Sequence, residues 1–236
     1  MKWSFTRRKF ILAVSSLGSL MMANPLNVFA QAGGEGSAVL RPQDKPVQEP
    51  LGEALKPRIL VFDVNETMLD LNALRPQFER LFGSGAALDE WFSLLLQYAM
   101  VVTLTDAYSD FGTIGRATLE MLADSKGIRL SDEDKNRILQ GILSLPPHPD
   151  MLESLKRLRT AGFRMVTLTN SSPMAVKAQL QNAGLADYFE ESISVDSVRR
   201  YKPDLQVYRI AAAHLGAKPS ELLPLAPDFI EALKQK

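Results

Sequence analysis

Asp63 ends the apolar run Ile59-Leu60-Val61-Phe62, and a hydroxyl residue, Thr67, follows four positions later. A short run rich in Ile, Leu, Val and Phe reads as a buried strand of a parallel sheet. Open α/β sheets bind their ligands just beyond the carboxyl ends of the strands. A carboxylate at that point can act as a covalent nucleophile. It can also cap the turn that follows, which is the blander reading.

Two further stretches end in the same way. Phe163 to Leu168 is a second apolar run, closed by Thr169-Asn170-Ser171-Ser172-Pro173. Pro173 suits the first turn of a helix, and a strand-to-helix junction can hold an anion on its backbone donors and side chains. Ser192 to Asp196 is a shorter strand, followed after a brief loop by Tyr201-Lys202-Pro203-Asp204 and a helix. Taken singly, Thr169 and Asn170 are turn formers and Lys202 is a solvated surface charge. Those readings leave the order strand-Asp, strand-Thr-Asn, strand-Lys-Pro unexplained.

Positioning these residues falls to the elements around them. Between Leu71 and Pro147 the pattern is helical. Ala87 to Leu104 carries apolar residues all round, among them Trp91, Phe92, Leu94, Leu95, Leu96, Tyr98 and Met100, which predicts a helix that is buried or faces a cavity. Phe111 to Ala123 is another helix, and Ser131-Asp132-Glu133-Asp134 opens a further one with a hydroxyl N-cap and acids in the first turn. Past Pro146-Pro147-His148-Pro149 the chain alternates again, with helices expected over Asp150 to Thr160, Met174 to Ala183 and Asp204 to Leu215. The last two stop at Gly184 and Gly216. Strand-helix alternation gives an α/β, doubly wound parallel sheet.

The wording Phe-Asp-Val-Asn-Glu-Thr-Met-Leu-Asp from Phe62, with Thr-Asn-Ser-Ser-Pro from Thr169 and Tyr-Lys-Pro-Asp-x-x-x-Tyr from Tyr201, resembles the haloacid dehalogenase superfamily, in particular its type II 2-haloacid dehalogenase branch. The resemblance runs from about Pro57 to about Leu225 and implies a core domain over 57–72 and 149–236, with a helical cap over 73–148. It also implies a reaction. Asp63 displaces halide from the α-carbon of a small 2-haloacid to form an ester, which water hydrolyses to a hydroxy acid. Thr67, Thr169 and Asn170 would position Asp63 and the substrate carboxylate. Lys202 would supply a positive charge that favours the ionised nucleophile and offsets substrate charge. Tyr208 matches a family position near the site, although a half-buried helix aromatic is an equally ordinary reading. No cofactor is implied, and a homodimer is left open.

The family's cap helix reads Trp-Arg-x-x-x-Leu-x-Tyr. Here Trp91, Leu96 and Tyr98 fix the register, and Phe92 stands where the Arg contributes to substrate or halide binding. The family also continues from its fourth strand into a loop that carries an Asp, then a helix and a fifth strand. Here Glu221 to Ala226 reads as the fourth strand and runs into Pro227-Asp228-Phe229. Asp228 is the candidate for that acid. Pro224 predicts an edge strand, because proline removes a ladder donor. The resemblance implies an altered C-terminus that weakens ester hydrolysis more than attack.

A Mg²⁺-dependent phosphatase on the same fold is the competing enzyme. It needs a second carboxylate two residues after the nucleophile to protonate the leaving alcohol, and that position is Asn65. Magnesium also wants several carboxylates near the phosphate. His148 and His214 are isolated along the chain and read as structural or solvated. A third reading is an exported, catalytically impaired binding protein.

The chain has 236 residues and no net charge. That length accommodates one globular domain with an insert, and the charge balance argues against a nucleic-acid binder. Thr6-Arg7-Arg8-Lys9-Phe10-Ile11 precedes an apolar stretch to Met22, and Val28-Phe29-Ala30 or Ala30-Gln31-Ala32 offers small residues for cleavage. Residues 1–30 therefore read as a twin-arginine signal addressed to the Tat translocon and the periplasm. Residues 31–56, rich in Gly, Pro and charge, read as a flexible linker. Without cysteine no disulfide is available and the redox compartment sets no constraint.

Overall fold

The computed structural model describes residues 59–218 and 221–225. The signal, the linker and Asp228 lie outside the described residues. Four strands, β1 (Ile59–Phe62), β2 (Arg164–Thr169), β3 (Ser192–Ser194) and β4 (Leu222–Leu225), form one sheet in the order β3-β2-β1-β4. Every pairing is parallel, with Phe62 opposite Thr167 on one side and Leu225 on the other. All carboxyl ends thus lie along one edge, as the alternation predicts. All four residues of β1 are buried, so the strand is covered on both faces.

Helices α1 (Arg75–Phe82), α2 (Ala87–Leu104), α3 (Phe111–Ser125) and α4 (Asp132–Leu143) intervene between β1 and α5 (Met151–Thr160). They form the expected helical insert after the first strand. Its ends are tied together: Asp70 N–H donates to Pro146 O at 2.9 Å, His148 N–H to Met68 O at 2.9 Å, and Leu69 bridges Pro147. Ser131 caps α4, accepting from Asp134 N–H as the sequence implies. After β2 come α6 (Pro173–Asn182) and, after β3, α7 (Leu205–His214). Gly184 (φ 67°) and Gly216 (φ 60°) follow them in the left-handed conformation that glycine adopts without steric cost.

Trp91 centres the insert. It is fully buried, lies 5.4 Å from the Phe78 ring and donates Nε1–H to Gly115 O at 3.0 Å. Gly115, whose carbonyl takes that bond, packs α3 closely on the Trp91 ring: a Cβ there would lie 3.6 Å from Trp91 Cζ2, in ordinary contact. The expectation for α2 needs correction, however. Only the side bearing Leu88, Trp91, Leu95, Ala99 and Thr103 is buried, while Leu96, Met100, Val101 and Leu104 are exposed. The insert packs α2 against α1 and α3, and among the described residues nothing encloses its far side.

Pro224 lies in β4, opposite Val61. Among the described residues β4 is an edge strand, which agrees with the expectation drawn from that proline.

Candidate active site

Asp63 follows β1 directly, and its N–H donates to Leu225 O at 3.1 Å, so the ladder holds its backbone. Its side chain is 15% exposed. Oδ1 accepts from Lys202 Nζ at 2.7 Å, and Oδ2 accepts a long bond of 3.4 Å from the Thr67 hydroxyl. Thr67 reaches back because the loop folds tightly. Met68 and Leu69 N–H both return to Val64 O, and Glu66 adopts a positive φ of 61° while its carboxylate accepts from Leu71 N–H at 3.1 Å.

Lys202 is no surface charge. Its side chain is 3% exposed, and Nζ donates to Leu168 O at 2.9 Å as well as to Asp63. Its backbone N–H donates to Asn170 Oδ1 at 3.2 Å. Asn170 thus holds the lysine's backbone, and it belongs to the turn after β2. A buried ion pair roughly breaks even between desolvation and attraction, whereas each buried large side chain of β1 contributes roughly 1.5–3 kcal/mol. The sheet therefore places the pair, and the pair does not hold the sheet.

The structure thus gathers Asp63, Thr67, Asn170 and Lys202. Thr169 is buried at the end of β2, and its hydroxyl oxygen accepts from Ser171 N–H at 3.1 Å, a turn-forming contact. Tyr208 is half-buried on α7 with its hydroxyl oxygen enclosed. Phe92 is also half-buried, its ring tilted against Trp91 at 6.5 Å.

Beneath the turn runs a polar chain that the motifs alone do not reveal. Asn65 donates to Ser171 Oγ at 3.1 Å and accepts from Gln179 Nε2 at 2.8 Å. Gln179 Nε2 also reaches Ile142 O, at the end of α4, at 3.1 Å. Ser194 Oγ donates to Ser171 O at 2.7 Å. The one sequence signal was Gln179 itself. With Val176 and Leu180 it keeps the spacing of a single helix face, so it is a polar residue on a buried stripe.

The amide at position 65 is committed to this chain and carries no acid proton. Among the described residues no three His, Cys, Asp or Glu side chains gather as a metal ion requires. Among the described residues, Asn65 thus stands where a magnesium phosphatase needs its proton donor. The arrangement presents one carboxylate beside a buried ammonium at the mouth of a turn that opens α6, with Ser172 as its N-cap. It can place a nucleophilic oxygen next to positive potential from the lysine and the helix terminus.

Comparisons with known proteins agree with this geometry. The profile of the haloacid dehalogenase-like hydrolases matches residues 57–223. An (S)-2-haloacid dehalogenase of a Pseudomonas species is 32% identical over 70% of this chain and 74% of its own length. Another, from Burkholderia cepacia, is 30% identical over 70% and 72%. The solved L-2-haloacid dehalogenase of Xanthobacter autotrophicus superposes with a TM-score of 0.66 at 29% identity, covering 71% of this chain and 68% of that one. A strand-borne carboxylate, a buried lysine from the third strand's loop and a match spanning both the sheet and its insert make this chain a member of the haloacid dehalogenase-like hydrolase family.

Proposed function

We propose that the protein hydrolyses the carbon–halogen bond of 2-haloalkanoic acids. The observation that carries this reading is the Asp63–Lys202 pair at the carboxyl edge of the sheet, in a chain about 30% identical to (S)-2-haloacid dehalogenases. Oδ1 is bound at 2.7 Å by the ammonium, while Oδ2 has only the long bond from Thr67. Oδ2 is therefore the freer nucleophile. It attacks C2 from the side opposite the halogen; the new O–C2 bond forms as the C–X bond breaks, and halide leaves with the electron pair. Water then attacks the ester carbonyl of Asp63. The acyl C–O bond breaks, the carboxylate returns, and the 2-hydroxy acid leaves with inverted C2 and one proton released to solvent.

Two of the three Lys202 N–H donors are committed in described bonds, to Asp63 and to Leu168. The ammonium thus fixes the nucleophile and makes the potential more positive where the anionic substrate must come close. The Asn170–Ser172 turn and the start of α6 are the place for the substrate carboxylate. Phe92 offers an apolar ring where the family's pattern has a cation, so the turn and Lys202 carry the substrate's charge in this reading.

The test is halide release from (S)- and (R)-2-chloropropionate and their longer homologues, with and without EDTA, beside a panel of phosphate esters with Mg²⁺. The account expects halide release that EDTA leaves unchanged. Phosphate release dependent on Mg²⁺, with no halide, would refute it.

We also propose export by the twin-arginine route, a reading supported by Arg7-Arg8 ahead of a modest apolar stretch. Replacing both by Lys should abolish periplasmic recovery, because the receptor reads the arginine pair. Undiminished periplasmic protein after fractionation would refute export by this route.

A further inference from the structure

The loop that carries Lys202 is gripped from the helical insert. Tyr108, in the link between α2 and α3, donates its hydroxyl to Asp196 Oδ1. Its ring stacks on Tyr201, with centroids 5.3 Å apart and planes 23° from parallel, and Phe111 packs on Tyr201 at 5.8 Å. Tyr201 N–H donates to Thr103 Oγ1 at 2.9 Å, and its hydroxyl to Ser109 O at 2.6 Å. Arg199 holds its guanidinium 5.2 Å above the Tyr108 ring, and Arg200 pairs with Asp106 at 2.6 Å. Residues 103–111 of the insert thus hold residues 196–201, and the next residue is the site lysine.

These contacts are unequal. Asp106 is 80% exposed on its side chain, and exposed ion pairs contribute little. The Tyr108–Asp196 bond is part-buried and charge-assisted, the stronger kind. Burial, and then that carboxylate, hold the Tyr108 phenol well above its ordinary range, so it stays a donor at every physiological pH. Arg199 and Asp106 both take positive φ, 56° and 54°, which non-glycine residues keep only when their surroundings hold them there.

We propose that Tyr108 and Asp196 are positioning residues: their bond clamps the lysine loop to the insert and keeps Lys202 Nζ on Asp63. This rests on the reading of Lys202 as the site cation. In the alternative, the bond merely stabilises the insert.

The test is competitive acetic anhydride labelling of the full chain, read at each lysine by peptide mass. Exposed Lys177 serves as the reference. Lys135, 12% exposed on its side chain, reports general loosening. Tyr108→Phe keeps the ring stack and loses the hydroxyl. Labelling of Lys202 should rise about ten-fold, the scale of one hydrogen bond to a charged group, with Lys135 unchanged. The kcat for halide release should fall by a similar factor, and KM should rise, because the displaced charge also meets the anionic substrate. Asp196→Asn, which keeps an acceptor and loses the charge, should raise Lys202 labelling by less than Tyr108→Phe does, and Asp106→Asn should change nothing. Unchanged Lys202 labelling in Tyr108→Phe, or an equal rise at Lys135, would overturn the clamp. If the wild type releases no halide from any 2-haloacid, the reaction assigned above is wrong, and the labelling still decides the clamp.

Discussion

Asp63→Asn should reduce halide release by several orders of magnitude, on the scale of other nucleophile deletions, while leaving the fold intact. Asparagine keeps the shape of the side chain, can still accept from Lys202 through its amide oxygen, and leaves the backbone bond from residue 63 to Leu225 untouched. What it loses is the anionic oxygen that attacks C2. Stability should fall, by up to about 3–5 kcal/mol, because the buried Lys202 ammonium loses its counter-charge, while β1 stays held by burial. Halide release kinetics with a thermal melt check both halves. Turnover within ten-fold of wild type would remove Asp63 from the role of nucleophile.

Lys202→Met should lower kcat by about 10²- to 10³-fold, the usual cost of deleting one electrostatic stabiliser in a site largely closed to water. Methionine approximates the length of the lysine stem but carries no donor. Asp63 would lose its bond at 2.7 Å and Leu168 O its bond at 2.9 Å. KM should rise as well, since the same charge meets the anionic substrate on approach. Steady-state kinetics on both parameters are the measurement. An unchanged kcat with only KM raised would make Lys202 a binding residue without influence on the nucleophile.

Much of this site was legible because its parts sit where the chain changes character. Asp63 ends a run of four buried residues, and Asn170 and Lys202 each follow a strand. A parallel sheet has one carboxyl edge, so reading the strands was enough to bring these residues together. The helical insert and the proline-bearing edge strand were readable for the same local reasons. Solvation was less legible. Composition around α2 suggested a helix that is buried or faces a cavity, yet burial depends on which neighbours arrive, and among the described residues only one side of α2 meets them. The bonds beneath the site were hidden for a related reason. Asn65, Ser171 and Gln179 are joined across 106 and 114 positions of sequence, and Tyr108 meets Asp196 across 88. Periodicity carries no information about such pairings, since each depends on how two separately folded segments dock. Thr169 illustrates the opposite case. Its reading as a turn former describes its one visible bond, to Ser171 N–H, and its place beside Asn170 is what joins it to the site.

The central claim is that Asp63 becomes an ester and that water attacks its carbonyl, not C2 of the substrate. A single turnover in heavy-oxygen water, with enzyme in excess over 2-chloropropionate, separates the two routes. The account predicts heavy oxygen in the carboxylate of the Asp63 peptide and ordinary oxygen in the lactate hydroxyl, both read by mass spectrometry. Heavy oxygen in the lactate hydroxyl with an unlabelled Asp63 peptide would contradict it.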